Sequence, residues 1–192
     1  MFFSKKKGTF PYLKKAPVYQ GIMTLILMIL PAGLFLIGFT RFGNAKNLFT
    51  VAAVVGMLPA AKSIVSFIMY LRSEKYSCPE SLHHTVAPLE GKGAYIGYDY
   101  YLTSYSANFP LPVVAVGKGV LIGLLTHPKF KPSECEDHIK EYLKKNDIKD
   151  INVKIFDSES KFIERITALS ESEEQLTSNE TQAFTLLSSL SL

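Results

Sequence analysis

Residues 18–39 run for 22 positions without a charge, and residues 48–61, extending to Leu71, repeat the pattern with Lys62 as the one interruption. At 1.5 Å of rise per residue the first stretch makes roughly 33 Å of helix, against about 30 Å of bilayer hydrocarbon. Leu, Ile, Met and Phe fall on every face of it, so no stripe is left for water. A chain of this length seldom encloses two such helices side by side in a soluble core. The pattern predicts a transmembrane hairpin, residues 18–40 and 48–71 with a short external loop 41–47, mooring one folded domain.

Orientation follows from the flanking cations, because Lys and Arg in short loops stay on the cytoplasmic side. Lys5, Lys6, Lys7, Lys14 and Lys15 precede the first span, only Arg41 and Lys46 separate the two, and Arg72 and Lys75 follow. Both termini are therefore expected in the cytoplasm, with the protein integral to a plasma or inner membrane. A cleaved signal peptide, with Gly43 and Ala45 near the cut, is the competing reading of the first span.

Charge divides along the same line. Residues 1–75 hold ten Lys and Arg against the single acid Glu74, while residues 76–192 hold eleven basic and sixteen acidic side chains. The basicity belongs to the anchor and suits anionic lipid, whereas a mildly acidic domain lacks the footprint for nucleic acid. With only Cys78 and Cys135, a reducing compartment and no disulfide are expected.

Within the spans, Lys62 reads as a snorkelling lysine or as a partner for an anionic lipid, a substrate or another subunit, beside the helix-weakening Pro59. Ala52, Gly56 and Ala60 recur every four residues and offer a close-packing face for the first span or a second copy of the chain. The lead, residues 1–17, mixes Phe2, Phe3, Phe10 and Tyr12 with lysines, and Pro11 and Pro17 argue against one continuous helix there. Residues 72–88 read as a linker.

The remainder, residues 89–169, reads as a cytosolic α+β domain. Gly-Lys-Gly stands at 91–93 and again at 117–119, each followed by an apolar, strand-like run, so both read as hairpin turns. Neither copy has phosphate-loop spacing or a following helix. Strands are predicted at 95–101, 113–116, 120–125 and 151–156. Helices are predicted after Ser133 as N-cap, with Ile139, Tyr142 and Leu143 on one face, and around Phe162, Ile163, Ile166 and Leu169. Residues 170–192 are either a tail or a helix with a Ser170–Glu173 capping box and Leu176, Ala183, Leu187 and Leu190 on one face.

Chemistry is sparse. Cys135 and His138, three apart on a helix, are weak candidates for a metal site or a thiol–imidazole pair, with Cys78, His83 and His84 as distant helpers. No metal and no cofactor is expected. Tyr98 and Tyr100, alternate on one strand, would share a face and either present a binding surface or pack within the sheet. The order of three strands, a helix and a strand resembles, by topology alone, the core of restriction-endonuclease-like nucleases. That resemblance implies an Asp on one strand and an acid-x-Lys on the next. Residues 113–116 and 121–125 contain no carboxylate, so the resemblance implies a catalytically dead core. The expected function is a non-enzymatic binding or scaffold module on a two-span anchor. The alternatives are a membrane-bound hydrolase or metal-dependent enzyme, and a small subunit of a transport or secretion assembly.

Overall fold

The computed structural model describes residues 7–104, 107–127, 129–171 and 177–192. Phe2, Phe3, Lys5, Lys6, Glu173 and Leu176, which entered the sequence argument, lie outside them. The chain forms two compact units, residues 14–75 and a second built from the lead up to Leu13 together with residues 76–192.

The first unit is a helical hairpin. Helix α1 spans Tyr12–Phe42 and α2 spans Leu48–Ser73. Asn47 caps α2, its side-chain oxygen accepting the Thr50 N–H at 2.9 Å. The helices run antiparallel in a single register: Gly21 lies against Phe67, Thr24 against Ser63, Pro31 against Gly56, and Gly38 against Phe49. A Cβ on Gly38 would fall 2.6 Å from the Asn47 Oδ1 and 2.7 Å from the Phe49 Cβ, so glycine is what allows the turn to close. Gln20 Nε2 donates to Ser63 Oγ at 3.1 Å, and the Thr24 and Ser63 hydroxyls lie 2.8 Å apart, which satisfies the polar groups between the helices internally.

Two details change here. Helix α1 begins at Tyr12, directly after Pro11, so the described part of the lead is not one continuous helix, but Pro17 lies inside α1 and does not break it. The small-residue face is Ala53, Gly56 and Ala60, not Ala52, which is exposed.

The second unit is a mixed four-stranded sheet covered by helices on both faces. Strands β1 (Tyr95–Thr103), β2 (Asn108–Gly117) and β3 (Val120–Leu124) form an antiparallel meander. After α4 (Pro132–Lys145), β4 (Asn152–Phe156) returns parallel to β3, giving the spatial order β1-β2-β3-β4. Helix α3 (Glu80–Val86) precedes the sheet, and α5 (Glu159–Ser170) and α6 (Ser178–Leu190) follow it.

Helices α4 and α6 bury Cys135, Ile139, Leu143, Ala183 and Leu187 on one face of the sheet, against Tyr100, Leu121, Val153 and Ile155. Helices α3 and α5 bury Leu82, Val86, Phe162, Ile166 and Leu169 on the other, against Tyr98, Val113, Ile122 and Leu124. Residues 72–88 are therefore not merely a linker, because α3 supplies part of the second core.

Local signals account for most of these elements. Lys118 and Gly119 have φ of 50° and 66°, the pair of positive values a two-residue hairpin turn requires between β2 and β3. The first Gly-Lys-Gly also contains positive-φ glycines but joins a 3₁₀ turn to β1, so it is not a hairpin. The two copies meet at one end of the sheet: a Cβ on Gly117 would fall 2.8 Å from the Gly93 carbonyl oxygen.

Helix α4 starts at Pro132 with Lys131, not Ser133, in the N-cap position. It ends with Asp147 at φ 55° and the Ile148 N–H donating to the Leu143 carbonyl at 3.0 Å, a Schellman stop. Helix α6 is entered through a capping box made by Thr177 and Glu180.

Candidate functional site

The residue on which the second unit converges is Asp99, in the middle of β1. Its carboxylate is 1 % exposed and its φ is 59°, a left-handed value that Asp tolerates better than most residues. Opposite it stands Pro112, which has no N–H to give the ladder. The pairing continues on both sides of this step, from Tyr98–Val113 to Tyr100–Leu111, but the alternation shifts. Tyr98 and Val113 enter the core under α3 and α5, whereas Tyr100 and Leu111 enter the one under α4 and α6.

The shift turns the Asp99 side chain toward the outer edge of the sheet, where donors from distant segments meet it. Leu13 N–H, in the first turn of α1, donates to Oδ2 at 3.0 Å. Cys78 N–H donates to Oδ1 at 2.6 Å, and the Ser77 hydroxyl lies 3.0 and 3.1 Å from the two oxygens. A carboxylate at the start of α1 also meets the positive end of the helix dipole. Leu13 and Ser77, which lie on either side of residues 14–75 in the sequence, both belong to this unit, and one buried side chain bonds the two segments within it.

The rest of the β1 edge is closed by the chain termini. Tyr98 N–H donates to the Gly8 carbonyl at 2.9 Å, Tyr101 N–H to Ser191 Oγ at 3.0 Å, and Leu192 N–H to the Tyr101 carbonyl at 3.0 Å. Lys7 Nζ donates to the Ser191 carbonyl at 2.6 Å, and burial lowers the Lys7 pKa from its ordinary value. Phe10 stacks on His83 with ring centres 4.0 Å apart. An edge strand left open invites pairing with another chain, and here the lead and the last residues occupy that edge.

The candidate residues are dispersed. Tyr98 and Tyr100 are 3 % and 1 % exposed and lie on opposite faces, so they do not form the shared surface the alternation implied. The Tyr98 hydroxyl donates to Glu90, and burial together with that carboxylate pushes its pKa far up. Burial pushes Tyr100 up to about 12.

Cys135 is buried in the core under α4, where loss of water, aided by Glu136, pushes its thiol up to about 12, the reverse of what a nucleophile needs. His138 packs between Phe109 and Tyr142, and burial lowers its pKa. Among the described residues no group of three His, Cys, Asp or Glu side chains is arranged to hold a metal ion. Lys62 is exposed on the outside of the hairpin.

Sequence reasoning did not single out Asp99. The available signal was an acid inside a tyrosine-rich strand, facing a Pro-Leu-Pro in the next strand. Glu180 was missed in the same way: it is 2 % exposed, and its two oxygens accept the Thr177 and Gly119 N–H groups, tying α6 to the β2–β3 turn. Comparison of the chain with protein-family models, with curated proteins and with solved structures found no match.

Proposed function

We propose that the chain is a two-span integral protein of a plasma or inner membrane, with both termini cytoplasmic, and that its α+β domain is a non-enzymatic binding or scaffold module. One observation carries the membrane part. Both long helices are apolar enough to cross a bilayer, and every large apolar side chain left exposed among the described residues lies within residues 18–71. In water that surface is a severe aggregation liability, and in lipid it is a solvated one. The excess of Lys and Arg beyond the span ends supports the assigned orientation.

The reading of the domain is supported by what its strands offer. Strands β2 and β3 contain no carboxylate, so the nuclease-like order of elements comes without the acids that chemistry requires. Its most elaborate polar site, around Asp99, is saturated by donors of its own chain, which suits anchoring rather than turnover.

Full-length protein purified in detergent is expected to hydrolyse no phosphodiester, ester or peptide substrate, with or without added divalent metal. Truncation after Leu71 is expected to abolish cross-linking of a partner in native membranes. Turnover lost on Cys135→Ser or His138→Ala would overturn the reading in favour of a hydrolase.

A further inference from the structure

We propose that Lys62 is the deepest element of a site for an anionic phospholipid headgroup at the basic end of the helical hairpin. The inference rests on the membrane reading above and adds a ligand class to it. Residues 18–39 centre on Met28 and Ile29, and the antiparallel register set by Thr24–Ser63 and Pro31–Gly56 puts that level at Leu58 and Pro59 of α2. Lys62 therefore stands about 5 Å from mid-bilayer, with roughly 10 Å of hydrocarbon between its Cα and the headgroup boundary, and about 15 Å of helix between it and Arg72. Its stem, about 6 Å long when extended, shortens that depth without closing it, so the ammonium meets a phosphate only where a headgroup is drawn below the general level.

A cation so placed needs a counter-charge, and its own unit does not supply one. No Asp or Glu occurs anywhere in residues 1–73, and Glu74 is twelve positions further along. The nearby polar groups are already engaged. Ser63 is paired with Gln20 and Thr24 between the helices, and the Ser66 hydroxyl donates to the Lys62 carbonyl at 3.1 Å. A second copy packed alongside would bring an equally acid-free hairpin, so self-association does not neutralise Lys62. A lipid phosphate drawn down to it does, and Lys14, Lys15 and Arg72, all exposed at that end, add attraction for a net negative headgroup.

The test uses the full-length chain reconstituted in vesicles of equal parts phosphatidylcholine and phosphatidylglycerol, with the lipid retained on re-extraction quantified. Wild type is expected to retain phosphatidylglycerol preferentially. Lys62→Gln should lower that preference roughly fivefold, the worth of about one basic residue at an anionic surface, and Lys62→Arg should keep it.

An unchanged preference in Lys62→Gln overturns the proposal, and so does release of a co-purifying protein in its place, which would assign the counter-charge to a partner helix. Loss of the preference on adding inorganic phosphate would overturn it in favour of a free anion. A wild-type chain that fails to float with the vesicles contradicts the membrane reading itself and is thereby distinguished from failure of the lipid site alone.

Discussion

Asp99→Ala is expected to destabilise the sheet domain by roughly 4–6 kcal/mol, most of what a small domain has, since bonds to a charged acceptor are worth about 1.5–3 kcal/mol each and domains about 5–15 in all. The substitution strands the buried Leu13 and Cys78 N–H groups and the Ser77 hydroxyl together. It also forces alanine to a φ of 59°, which adds about 1 kcal/mol. Asp99→Asn should lose about half as much, because asparagine accepts left-handed φ and keeps one acceptor oxygen. The measurement is a urea midpoint in detergent followed by tyrosine fluorescence, the chain having no tryptophan. An alanine variant within about 1 kcal/mol of wild type, less than one such bond is worth, would mean the carboxylate does not hold these segments of the domain together.

Leu30→Asp is expected to have an effect whose sign depends on the solvent around the hairpin. Leu30 is 65 % exposed, near the middle of α1 and on its outer surface. If that surface faces water, an aspartate there is neutral or improves solubility. In a bilayer, an acid at a helix centre costs about 3 kcal/mol, so insertion should fall roughly a hundredfold. An insertion assay that reports the membrane-integrated fraction decides between the two, and an undiminished integrated fraction would count against lipid as the solvent.

How much of this was readable beforehand follows from how local each cause is. The two long helices could be read because all-round hydrophobicity needs no knowledge of the rest of the fold. The β2–β3 hairpin could be read because the positive φ values sit in the turn sequence itself. The inward faces of Val153 and Ile155 in β4 followed from two-residue alternation, whereas its parallel pairing with β3 did not.

Where a cause lay elsewhere in the chain, the reading failed. Tyr98 and Tyr100 were placed on one face because nothing in β1 alone shows that Asp99 and Pro112 would shift the alternation together. Ala52 was preferred to Ala53 because a strict spacing of four drifts around a helix of 3.6 residues per turn. The contacting face instead steps through Ala53, Gly56, Ala60, Ser63 and Phe67. The lead was read only as a mixture of aromatics and lysines, yet Gly8 and Leu13 bond to β1, ninety and eighty-six positions away.

The most direct test of the central claim, that the hairpin threads a bilayer and leaves the domain in the cytoplasm, is the sidedness of introduced thiols. Cys78 and Cys135 are fully buried and should stay silent in the folded protein, so single cysteines at Ala45 and Lys149, both exposed, report on the loop and the domain. On intact cells a membrane-impermeant maleimide should label Ala45→Cys and spare Lys149→Cys, with both labelled after permeabilisation. Labelling of Lys149→Cys on intact cells would contradict the account.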